Sequence, residues 1–340
     1  MAHVFGPVPS RRLGLSLGID VVPYKVCSFD CVYCQLGTTT HKTSERQAFV
    51  DIEDVIAELR EVVPCVKADY ITLSGSGEPT LSLDMGRLIR EIKKLTSTPV
   101  AVLTNGSLLS RPGLRQELLG ADLVVPSLDA GSQEVFEKIN RPCPGLCIDG
   151  IVDGLERFSK DYRGKMCVEV MVVKGINDGE EELERISSAL KRVRAEKIQL
   201  NTVARPPAEA FARPLSVDEM ERVKDYFDDR AELIVSAGPM GVPGASKESV
   251  LTVDEGGQSA SPTAKCRTVL NLLRRRPCTL ADVATGLSIN RNEASKLIGV
   301  LINEGLVNAI RRDDGLTYFG YAHDSERELI PCQDRPNSDA

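Results

Sequence analysis

The sequence predicts an α/β protein: a partial (β/α)6 barrel followed by a C-terminal winged helix-turn-helix domain. Three observations predict it. Apolar, β-rich runs alternate with helix-period stretches up to about residue 235, which suits a parallel sheet covered by helices. Six such units are visible, fewer than the eight that close a barrel. A second periodic block near the C-terminus holds three helices and a hairpin, the winged pattern.

The elements follow in order. Residues 14–22 (GLSLGIDVV) read as a strand. In 51–63, Ile52, Val55, Ile56, Leu59 and Val63 recur at helical spacing, with Asp51 as a cap. Strands are expected at 68–74, 100–104, 123–128, 167–173 and 197–201, and a last one at 232–235. Helices are expected at 82–95, 114–119, 133–139, 148–158, 180–195 and 217–227. The segment 238–263 is rich in Gly, Ser and Pro without a period, so the barrel domain spans 1–237 and a linker 238–263. In 264–322, helices at 266–275, 279–285 and 290–305 precede two strands, 307–311 and 316–321. The strands flank Asp313-Asp314-Gly315, a hairpin turn signal. The tail 323–340 is polar and expected to be disordered.

Composition narrows the function. Of 340 residues, 42% are apolar and 27% charged, which permits a core and excludes global disorder. No run approaches the ~20 apolar residues of a membrane span. The N-terminus has no basic and apolar leader, so a cytoplasmic location is expected. Ten cysteines in such a chain suit metal or cluster ligation and core filling better than disulfides. Net charge is −7, yet 264–322 holds nine basic against five acidic residues, a basic module on an acidic body.

The strongest motif is CSFDCVYC, which sets Cys27, Cys31 and Cys34 in a C-x3-C-x2-C run after the first strand. Three close thiolates can hold three irons of a [4Fe–4S] cluster and leave the fourth iron to an outside ligand. A zinc site would need a fourth ligand at finger-like spacing, and the nearest, His41 and Cys65, fit poorly. The loop SGSGEP at the end of the second strand has the wrong spacing for a phosphate loop.

With Tyr33 directly before the last cysteine, this run resembles the signature of the radical S-adenosylmethionine (radical SAM) superfamily. The resemblance implies a partial (β/α)6 barrel, a [4Fe–4S] cluster on Cys27, Cys31 and Cys34, and SAM chelating the open iron. It places Tyr33 near the adenine and makes Gly75, Gly77 and Glu78 the receivers of the SAM ammonium. Asn105, Ser127 and Asp129, at the next two strand ends, are carried over as SAM-binding residues. Lys174, Asn177 and Arg205, at later strand ends, are candidates for SAM or substrate contact. The pattern from Gly6 through Ser127 and Asp129 to Arg205 resembles the branch of the tRNA wyosine-synthesis enzymes (4-demethylwyosine synthase). The chain departs from that branch in having no cysteine before Cys27 and no recognisable flavodoxin-like domain.

Cys143 and Cys147 form a further C-x3-C pair, read as loop or core cysteines or as an auxiliary cluster. In the winged domain, Arg291, Asn292 and Lys296 would face a nucleic acid, DNA or RNA, from the recognition helix. Arg311 and Arg312 would contact phosphates from the wing, as would Arg274, Arg275 and Arg276. The expected function is reductive cleavage of SAM to a 5′-deoxyadenosyl radical that abstracts hydrogen from a substrate such as RNA. A reducing partner such as flavodoxin or ferredoxin would supply the electron. Alternatives are a radical SAM activator or modifier of a protein or peptide, and an iron–sulfur redox-sensing DNA-binding regulator.

Overall fold

The structure, a computed structural model, describes residues 3–10, 12–234, 262–287, 289–312 and 316–322. The tail, the Asp313-Asp314-Gly315 turn and nearly all of the expected linker lie outside the described residues.

Among the described residues, ten strands and seven α-helices build the N-terminal part. The chain opens with β1 (Val4–Ser10) and β2 (Gly14–Ile19). Two short strands, β3 (Val26–Cys27) and β4 (His41–Lys42), pair in parallel beside them. Then come α1 (Ile52–Val62), β5 (Tyr70–Leu73), α2 (Met85–Leu95), β6 (Val100–Thr104), α3 (Pro112–Leu118) and β7 (Leu123–Pro126). Two consecutive helices, α4 (Gln133–Ile139) and α5 (Ile148–Asp161), lead to β8 (Lys165–Val172). The run closes with α6 (Glu180–Lys191), β9 (Lys197–Thr202), α7 (Val217–Lys224) and β10 (Ala231–Leu233).

The main sheet has the order β1-β2-β5-β6-β7-β8-β9-β10. Every pairing from β2 to β10 is parallel, and only β1 runs antiparallel, on β2. This is an α/β fold with a mostly parallel sheet. Its strand ends at Asp20, Ser74, Asn105, Ser127 and Val173 share one edge, where such sheets carry their sites. The helices turn one face each into a common core, Ile52, Val55, Ile56 and Leu59 in α1 for example.

Helices α6 and α7 end at Lys191 and Lys224, several residues before the expected ends. In both, the next amides turn back on carbonyls three residues earlier, as in Val193 N–H to Leu190 O. Strand β1 had not been expected. Pro7 and Pro9 lack the N–H that a central strand needs, and β1 escapes that rule by lying at the sheet's edge.

The C-terminal part holds α8 (Pro262–Arg275), β11 (Cys278–Thr279), α9 (Leu280–Gly286), α10 (Arg291–Asn303), β12 (Val307–Arg311) and β13 (Thr317–Tyr321). Helix α8 begins at Pro262, two residues inside the expected linker, with proline at a position that needs no N–H. Thr279 and Asp282 form a capping box on α9, and Asn290 caps α10. The three strands make an antiparallel sheet, β11-β13-β12. Val8 and Phe5 of β1 belong to the core of this part, together with Val269, Leu273 and Ile298. Phe5 can lie flat on β2 because Gly18 is there: a Cβ at Gly18 would fall 2.1 Å from its ring. Among the described residues no helix is long and apolar enough to cross a membrane.

Candidate active site

The cysteine loop leaves β2 at Asp20 and crosses the strand ends. Lys25 adopts φ 64° and is buried; its Nζ donates to the Gly37 carbonyl and lies 3.5 Å from Cys34 Sγ. The other two thiols also have an amide donor. Asn105 Nδ2 is 3.6 Å from Cys27 Sγ, and Asn140 Nδ2 is 3.4 Å from Cys31 Sγ. Each cysteine therefore faces one side-chain N–H, which stabilises a thiolate and raises the potential of a cluster it holds. Burial pushes the Cys27 thiol up to about 12, and it pushes Cys31 up as well. Loading the site must therefore displace protons.

Among the described residues no three His, Cys, Asp or Glu side chains converge on a single metal ion. Three thiols spread along one loop, each with its own donor, suit a polynuclear iron–sulfur centre in which each thiolate holds a separate iron. The residues fit the group. Cys143 is buried, with its N–H on Ser28 O, and Cys147 is exposed as the residue that caps α5.

The Ser74–Pro79 loop is stitched to the cysteine loop. Lys25 N–H donates to Ser76 O at 2.6 Å and Glu78 N–H to Val26 O at 3.1 Å. Gly77 permits this approach: a Cβ there would lie 1.9 Å from Val26 O. Gly75 has φ +132°, open to glycine alone at low cost. Glu78 is 2% exposed. Its Oε1 accepts from Thr80 N–H, Thr80 Oγ1 and Thr104 Oγ1, and its Oε2 from Asn105 N–H. Burial still raises its pKa against these four donors. Its carboxylate is thus an internal anchor joining two strand ends.

Asp129 is a second anchor. It accepts from Tyr33 Oη at 2.5 Å, Asn140 Nδ2 at 2.7 Å and Met171 N–H at 2.9 Å. Burial raises it to about 6. Asn177 is wholly buried and ties the turn together, donating to Asp129 O and Met171 O and accepting from Val173 N–H. Arg205 reaches Gln35 Oε1 at 3.1 Å, next to Cys34. Ser127 is half-buried at the end of β7, bridged to Glu169.

The structure thus brings Cys27, Cys31, Cys34, Tyr33, Glu78, Asn105 and Asp129 into one connected network. It places other residues differently from expectation. Lys174 pairs with Glu219 at 2.6 Å on the exposed side of α7. Arg312, expected to contact phosphate, reaches the Val203 carbonyl at 3.5 Å and so turns toward the end of β9. Arg275 is buried against Asp20, and Arg274 stacks on Tyr321. Arg291, Asn292, Lys296 and Arg311 are exposed as expected. Sequence reasoning missed Lys25, Asn140 and Asp20. Lys25 stood two residues before Cys27, whereas nothing local marks the other two.

The radical SAM superfamily model matches residues 21–186. A UPF0026 protein of Methanocaldococcus jannaschii is 32% identical over 322 residues, covering 94% of this chain and 96% of its own. The chain belongs to the UPF0026 family of radical SAM proteins. A GTPase Obg of Brachyspira hyodysenteriae is 37% identical over 306 residues; the match spans 90% of this chain and 43% of that longer protein. Among solved structures, a radical SAM methyltransferase from Sphaerobacter thermophilus is similar with TM-score 0.46 at 18% identity, covering 64% of this chain and 66% of that one. The chain is a radical SAM enzyme, of a superfamily that uses a [4Fe–4S] cluster and SAM and generally needs an electron donor.

Proposed function

We propose that this radical SAM enzyme abstracts hydrogen from an RNA substrate, which residues 264–322 recruit as a winged helix-turn-helix domain. The observation that carries the catalytic part is the side-chain N–H donor facing each of Cys27, Cys31 and Cys34. Held by Cys27, Cys31 and Cys34, a [4Fe–4S] cluster would supply the electron for reductive cleavage of SAM and so the radical chemistry that removes hydrogen from the substrate.

The chain's own residues prepare that step. Cys27, Cys31 and Cys34 hold the cluster, and Asn105, Asn140 and Lys25 set the charge on the three sulfurs. The backbone of Gly75 and Gly77 receives the SAM ammonium, while Glu78 keeps the loop in place from below. Tyr33, fixed by Asp129, forms the adenine wall, and Ser127 faces the rest of the cofactor. Arg205, beside Gln35, stands where SAM or substrate enters. Burial of the network keeps water away from the reacting atoms. A flavodoxin or ferredoxin supplies the electron, in the cytoplasm.

Three features favour RNA: the basic excess of the C-terminal part, the exposed Arg291, Asn292 and Lys296 on α10, and the resemblance to the wyosine branch. A protein or peptide substrate is the second reading. It is favoured by Arg312, which turns to the barrel and leaves the wing fewer groups for phosphate.

The test is 5′-deoxyadenosine yield from anaerobically reconstituted, reduced protein given SAM, with and without total RNA. Stimulation by RNA is expected. Cleavage indifferent to RNA would move the search to proteins and peptides. No cleavage from cluster-loaded protein would remove the radical reading itself.

A further inference from the structure

The C-terminal part does not merely adjoin the main sheet and its helices. Arg275, at the end of α8, is 9% exposed and lies over the Phe5 ring at 4.4 Å, with its Nε 3.4 Å from Asp20 Oδ2. Asp20 is itself buried, just past the end of β2. Its carboxylate also takes both donors of Ser76: the hydroxyl on Oδ2 and the N–H on Oδ1 at 3.2 Å. Ser76 O in turn accepts the Lys25 N–H, and Lys25 Nζ reaches Cys34. A continuous path runs from α8 through Asp20 and the glycine loop to a cluster cysteine.

A buried carboxylate without a counter-ion is costly, and it protonates or draws water to itself. Here the cation comes from a different part of the chain, 255 residues further on. Arg275 also makes a backbone contact, Nη1 to Asn271 O at 2.8 Å, which fixes its direction. Burial raises Asp20 and lowers Arg275, as expected for two charges that need each other to stay ionised. A second seam lies on the far side of the mouth, where Tyr318 Oη donates to Ala204 O at 3.1 Å, next to Arg205.

We propose that Arg275 is a positioning residue for the SAM-binding loop: through Asp20 and Ser76 it holds Gly75–Gly77 in the shape that receives the SAM ammonium. The C-terminal part is then a structural component of the cofactor site, in addition to any role in recruiting substrate. This rests on the reading that the loop binds SAM.

The experiment measures SAM affinity in cluster-loaded full-length protein, from the change SAM produces in the electron paramagnetic resonance signal of the reduced cluster. Wild type is titrated in parallel, and if it binds no SAM, the reading of the loop fails rather than this inference. Arg275→Met is expected to weaken SAM roughly tenfold, with iron content and the SAM-free spectrum unchanged. Adding Asp20→Asn to Arg275→Met is expected to recover part of the loss, because Asn still accepts from Ser76 and needs no cation. Ser76→Ala, which removes the hydroxyl from the tether and leaves only the N–H on Asp20, is expected to weaken SAM in the same direction and decides the matter if Arg275→Met does not fold. Wild-type affinity in a folded Arg275→Met, or in Ser76→Ala, overturns the proposal.

Discussion

Asn140 stands 109 residues from Cys31 in the chain, yet its amide nitrogen lies 3.4 Å from the Cys31 sulfur. The same amide serves Asp129 at 2.7 Å, so one side chain couples a cluster cysteine to the residue that fixes Tyr33. Asn140→Leu is expected to lower the cluster's midpoint potential, since a lost N–H···S bond disfavours the more negative reduced state. It should also cost about 1–3 kcal/mol, because a buried carboxylate loses a donor. Potentiometric titration and guanidinium unfolding read the two effects. A potential equal to that of wild type would show that the amide does not bond a ligating sulfur.

Gly77→Ala places a methyl against backbone, the Val26 carbonyl, which cannot swing aside as a side-chain tip would. The loop must lift from the cysteine loop, at a cost of about 1–3 kcal/mol. Iron bound per chain after desalting is expected to fall well below the wild-type value. Full retention would mean that the two loops are not held together here.

Asp129 gives a pH dependence with a definite sign. Its pKa is about 6 in the fold against 3.8 in the open chain. In the window between these values the folded chain holds a proton that the unfolded chain has released. This group's contribution to stability is therefore complete at low pH and is lost as pH rises through about 6. The shift corresponds to about 3 kcal/mol. The stability of Asp129→Asn minus that of wild type should rise by roughly this amount from about pH 4 to pH 7; any pH-independent offset cancels. Urea melts of the cluster-free chain across that range provide the check, and a flat difference would refute it.

Arg291 and Lys296 are exposed on α10. If they contact phosphates, Arg291→Ala with Lys296→Ala should weaken RNA binding. The slope of log affinity against log salt should become shallower by about 1.4–1.8 for two lost contacts. Fluorescence anisotropy at several salt concentrations measures both. An unchanged slope would take α10 off the RNA.

The parallel strands were legible because each is a short apolar run between helical periods, and the cysteine loop because its spacing is local. Strand β1 was hidden by Pro7 and Pro9, whose missing donors only an edge tolerates. Glu78 and Asp129 were found, but not their orientation: nothing in a motif says that a carboxylate will be turned inward and saturated by neighbours. Arg275 and Arg312 read as phosphate contacts because an arginine in a basic run is usually solvated. Their placement against the N-terminal part depends on how two parts of the chain meet, which no local pattern encodes. Asn140 was invisible for the same reason.

Strand β1 is made long before it is covered. Phe5 and Val8 leave the ribosome about 250 residues ahead of their apolar partners in α8, α9 and α10. At about 5–20 residues per second, that interval lasts on the order of 15–60 s. Throughout it, an edge strand with an uncovered greasy face is open to strangers. Chaperone demand for this chain should therefore fall on its nascent form, and shortening the gap between the two halves by circular permutation should relieve it.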